Sequence, residues 1–168
     1  MEFKGATLLY TLAGLMTTFA GFSALLLALR PAAGARLSHL DKFLAKTVMT
    51  HIFVLTAGSL LPSIMALYDI PEKWSWRACA VLFAVPMLFF QISYPRRRLK
   101  AVGSGPPPPI LAVLVILGAT VTLAMLGYVL AGFRNSSGVY ITALTIDFFT
   151  VTFAFLCAVD VIMRQPME

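Results

Sequence analysis

Residues 110–132 read ILAVLVILGATVTLAMLGYVLAG, 23 residues without a single charge. A helix rises 1.5 Å per residue and a bilayer's hydrocarbon core is about 30 Å thick, so roughly 20 such residues cross it once. A spanning strand must alternate apolar and polar residues, and nothing in the stretch does. A helix is then the one backbone that satisfies its own N–H and C=O groups in lipid.

Four more stretches qualify on the same grounds: 7–29, 47–68, 78–94 and 139–163. The whole composition agrees, with 60% hydrophobic and 12% charged residues in a chain of 168 and a mean hydropathy of +0.88. Soluble domains are about 25% charged, and half that charge cannot cover a water-exposed surface of this size. The expected fold is all-α, a polytopic integral membrane helix bundle of five transmembrane helices forming one domain over residues 1–168. A soluble enzyme, a disordered chain and a disulfide scaffold are excluded, the last because there are only two cysteines.

Charge sets the expected direction. Lys4, Lys73, Arg77 and Arg134 fall on one side of the five spans, and Arg30, Arg36, Lys42, Lys46, Arg96, Arg97, Arg98, Lys100 and Arg164 on the other. Cytoplasmic connections collect Lys and Arg, so the N terminus is expected outside and the C terminus inside. Tyr68, Trp74, Trp76, Tyr128 and Tyr140 lie at outer span ends and Tyr94 at an inner one, where amphipathic rings settle at the headgroup level. The first span is read as retained, although Ala33-Gly34-Ala35 resembles a cleavage site. Its apolar run is too long for a signal peptide, and no positive stretch leads it.

Ser38 followed by Asp41 reads as a capping box that starts the second helix near His39. Residues 69–77 read as a tight outer connector. The inner loop 95–109 holds the cluster Arg96, Arg97, Arg98 and Lys100, then Gly103-Ser104-Gly105 as a hinge and prolines 106–109 as a stiff spacer. The cluster serves as an orienting signal or as an anionic-lipid contact. A nucleic-acid interface would need interleaved aromatics on a folded module, which the loop lacks.

Ionisable groups within a span are functional candidates. Asp147 lies eight residues into the fifth stretch, about 12 Å below its outer boundary. An ionised Asp at mid-depth costs at least about 2.5 kcal/mol, so it needs hydrogen bonds, a proton or water. The expected polar site joins Asp147 to Ser59, Ser63 and Thr122, together with the Gly58 carbonyl that Pro62 leaves without its helical donor. Its two readings are a helix-locking carboxyl and a proton or cation relay. An inner half-site of His51, Asp160 and Arg164 is a second candidate. His51 has no spaced partners for a metal or a haem, no pair of cysteines is placed for thiol redox chemistry, and no catalytic motif occurs. Neither a catalytic residue nor a metal nor a cofactor is expected.

Small residues Ala20, Ala24 and Ala28 on the first helix, and Gly118 and Gly127 on the fourth, mark faces that allow close helix approach. The run Phe19-Ala20-Gly21-Phe22-Ser23-Ala24-Leu25, the stop at Arg30 and Leu61-Pro62 are similar to a loose set of uncharacterised small bacterial membrane proteins. That resemblance covers about the first 70 residues and implies a bacterial inner membrane, with no activity attached. The expected function is non-catalytic association, as an accessory subunit or homo-oligomer. A proton- or cation-conducting role through Asp147 is the alternative, and a membrane enzyme comes third. Expected partners are the bilayer, its anionic lipids, and a second copy or another membrane protein, without nucleic acid.

Overall fold

The structure is a computed structural model that describes residues 5–32, 38–103 and 109–163 and, within these, all side chains except those at 26, 27, 30–32, 41, 158 and 160–163. Its elements are α1 (Ala6–Ala32), α2 (His39–Ala66), α3 (Glu72–Val102), α4 (Pro109–Ala131) and α5 (Ser136–Met163). All five helices are long and apolar enough to cross a membrane. Each packs on the next in sequence, and α5 closes the bundle by meeting α2 and α3 as well as α4. Only α5 and α2 touch α1.

The helices exceed the expected spans mostly at their ends. Asp69 and Asn135, at φ 51 and φ 66, turn the α2–α3 and α4–α5 corners; Asp and Asn tolerate that left-handed region better than most residues. The third helix departs furthest from expectation. Sequence ends it at Tyr94, since the residue before a proline avoids the helical region, yet α3 continues through Pro95 to Val102. Two side chains bond the helix backbone one residue before the Gln91 carbonyl that Pro95 leaves without its helical donor. Ser93 Oγ and Arg97 Nη2 both donate to the Phe90 carbonyl, at 3.1 and 2.9 Å, and the Arg97 guanidinium lies 3.9 Å from the centre of the Phe90 ring. Arg96, Arg97, Arg98 and Lys100 therefore occupy the last turns of a helix and not a loop. That helix ends where Gly103, at φ 79, donates its N–H to the Leu99 carbonyl. At the other end, Glu72 to Arg77, expected as connector, form its first turns.

The core runs along α3, where Cys79, Ala80, Phe83, Ala84 and Met87 are completely buried at the three- and four-residue spacing of one helix face. The opposite surface is as apolar as the core, with Phe89 and Ile92 each 75% exposed. Water would not tolerate such a surface over the whole bundle, whereas hydrocarbon does. On α4 only Gly118, Thr122, Met125 and Val129 are buried.

Candidate functional site

Halfway along the bundle three helices meet over a missing side chain. Gly118 and Thr122 stand one turn apart near the middle of α4. Thr122 Oγ1 donates to Asp147 Oδ2 of α5 at 3.3 Å, and both residues are buried, Asp147 to 2% exposure. Where Gly118 would carry a Cβ, the Gln91 Nε2 of α3 lies 2.7 Å away and Asp147 Oδ1 3.3 Å away. Gly118 thus makes room for two polar side chains to approach α4 from α3 and α5. Gly118, read from the sequence as a helix-packing residue, lies inside the bundle.

Gln91, 3% exposed, is the member that sequence reasoning missed. Ending the third helix at Tyr94 put Gln91 in the last turn, where an amide meets water. Extending α3 to Val102 draws it two further turns from the helix end. Its Oε1 is buried without a hydrogen-bond partner.

The residues expected from α2 sit elsewhere. Pro62 has no N–H for the Gly58 carbonyl, and that carbonyl accepts from Tyr140 Oη at 2.8 Å. Tyr140 precedes Asp147 by seven residues, about 10 Å along the same helix. Ser59 Oγ donates to the Leu55 carbonyl at 3.0 Å, and Ser63 Oγ is buried without a partner. So Pro62 acts through a separate α2–α5 contact, Ser59 bonds within its own helix, and of the expected set Thr122 is the residue hydrogen-bonded to Asp147. A side-chain carboxyl needs donors, and an i−4 carbonyl already claims the hydroxyl of Ser59.

His51 of α2 stands edge-on to Phe90, with ring centroids 4.8 Å apart. The Asp160 side chain and Arg164 of the expected half-site lie outside the described residues, as do the Arg30 and Asp41 side chains and residues 33–37 and 104–108. Both cysteines are free thiols, Cys79 buried and Cys157 half-buried.

On α1 the small residues divide between two faces. Ala20 packs against the core. Gly14, Thr17, Gly21, Ala24 and Ala28 are all exposed and recur at spacings of three and four, which makes one outward stripe. No atom lies within 4 Å of a Cβ built on Gly14, Gly21 or Gly127. Compared with known proteins, the chain matches no family model, no curated protein and no solved structure.

Proposed function

We propose that this protein is a multi-pass subunit of a bacterial inner membrane, N terminus outside and C terminus inside, that works by associating with a second copy of itself or with another membrane protein. We assign it no catalytic activity. The observation that carries the reading is the outward stripe of α1. Lipid tails are as apolar as leucine, so hydrophobicity gives helices little reason to meet. Close backbone approach at small residues supplies the attraction instead. Gly14 and Gly21 are exposed, and among the described residues no neighbouring side chain comes within 4 Å of a Cβ at either. Thr17 of that stripe is satisfied locally, donating to the Ala13 carbonyl at 2.9 Å, so a partner helix would meet no unpaired hydroxyl there.

In mild detergent the protein should run as an oligomer or carry a co-purifying membrane protein. Gly14→Leu with Gly21→Leu should dissociate it while leaving its thermal unfolding unchanged, since neither side chain would enter the core. A wild-type particle that is strictly monomeric and brings nothing with it sinks the reading.

The competing role, proton or cation passage, is favoured by the place of Asp147 beside Gln91 and Thr122 at half depth. The two part in liposomes. Passage requires a flux that Asp147→Asn abolishes. Association expects wild-type and D147N vesicles to leak protons equally slowly, and D147N to assemble like wild type because an amide oxygen still accepts from Thr122.

A further inference from the structure

Toward the basic end of the bundle, α2 and α4 make no contact with each other, and a half-open cleft lies between them, floored by α3 and α5. Its walls are mostly aliphatic, from Leu44 and Val48 of α2 to Leu114 of α4 and Val151 of α5. Among the described residues no Asp, Glu, Lys or Arg lines it. The nearby Arg97 is turned onto the Phe90 ring and carbonyl.

Thr47, His51 and Gln91 interrupt the apolar lining, on which the hydroxyl-bearing Tyr94 and Thr150 also lie. Gln91 is 97% buried, being 3% exposed, and its Oε1 has no partner. Thr47 Oγ1 is likewise buried and unpartnered, although Thr50 and Thr150 return their hydroxyls to the carbonyls four residues back, at 2.8 and 2.9 Å. Unpaired polar atoms in a low-dielectric interior are costly. Two of them in one apolar cleft are the signature of a site whose ligand supplies the missing bonds.

The chemistry of the three groups restricts that ligand. A hydroxyl, a neutral imidazole and a carboxamide all both donate and accept, and none carries charge. An anionic head has no counter-ion in the lining, and a bare acyl chain would leave Gln91 and Thr47 unpaired. Phe90 and Tyr94 add flat apolar surface beside them. A ring bearing oxygens that alternate between hydroxyl and carbonyl suits this set, because rotating the Gln91 amide offers oxygen to the one and N–H to the other. We propose that the cleft between α2 and α4 binds the ring of a lipid-soluble quinol or its quinone, its oxygens held by Gln91 and Thr47 with His51 alongside and its hydrocarbon tail running over the aliphatic walls.

The test uses the full-length protein in nanodiscs and titrates it, by calorimetry, with a decyl-substituted benzoquinol, its quinone, decylbenzene and dioleoyl phosphatidylglycerol. The quinol and quinone should bind saturably, and decylbenzene and the phospholipid at least about tenfold more weakly, as expected for losing one buried hydrogen bond. Gln91→Met should weaken the quinol about tenfold, and Thr47→Val, which keeps the side chain's shape, several-fold. Equal affinity for decylbenzene, displacement of the quinol by phosphatidylglycerol, or quinol affinity unchanged in T47V and in whichever of the variants folds would each overturn the assignment.

Discussion

Gly58→Val should lower the unfolding free energy by about 3 kcal/mol, the upper end of what overpacking a well-filled core costs. A Cβ at Gly58 would lie 2.6 and 3.2 Å from two ring carbons of Phe83 and 3.3 Å from a Leu144 methyl. Neither neighbour has room to yield, since Phe83 and Leu144 are each 1% exposed and Phe83 already meets Tyr140 edge-on at 6.0 Å. Moving α2 outward would also pull the Gly58 carbonyl from the Tyr140 hydroxyl that serves it in place of an amide at residue 62. That second loss can be read separately. Tyr140→Phe keeps the ring and should cost about 1 kcal/mol. In a Pro62→Ala background the restored N–H donates to Gly58, and the cost should fall to a few tenths. Unfolding in mixed micelles of increasing dodecyl sulfate content measures all of these. A Tyr140→Phe penalty equal in both backgrounds would falsify the substitution of hydroxyl for amide.

The difference between these contacts and the five helices explains what the sequence could show. Length and apolarity name each helix, because both are properties of a single segment. Pro62 releases the Gly58 carbonyl by a local rule, and that too is legible. What takes the carbonyl is not, for Tyr140 stands 82 residues away and its ring reads equally well as an interfacial anchor. In water, an amphipathic period would reveal which face of each helix turns inward. Here neighbour and solvent are both apolar, so Phe83 at 1% exposure and Phe89 at 75% carry no distinguishing mark in the sequence. For the same reason the sequence marks Gly118 as a packing residue without showing which helices it meets. Gln91 was hidden by a rule that this helix overrides: Pro95 disfavours a helix before it, yet α3 runs on to Val102.

Gly118→Val is the second large loss, about 2–3 kcal/mol, and it should differ in kind from the first. The atoms that a Cβ at Gly118 meets are the tip of Gln91 at 2.7 Å and a carboxyl oxygen of Asp147 at 3.3 Å, ends of side chains with free torsions where Gly58 faces a packed ring. Gly118→Ala should therefore cost only about 1 kcal/mol, by swinging the Gln91 amide aside. Valine fills the junction, and it must also part Thr122 from Asp147, which their 3.3 Å bond holds against the low dielectric around them. Removing the obstacle should restore most of the stability. Gln91→Ala in the G118V chain is expected to recover more than half of the loss, whereas the same substitution in the G58V chain recovers nothing, since Gln91 stands about 12 Å along α3 from the Phe83 that Gly58 meets. Recovery at both glycines, or at neither, would mean that Gln91 does not occupy the space Gly118 leaves. A rescue confined to Gly118 would tie the carboxyl, the amide and the missing Cβ into one three-helix junction. Asp147 would then be held at half depth chiefly by packing that depends on a glycine, which is how a bundle keeps a costly carboxyl in place without a cation to pair it.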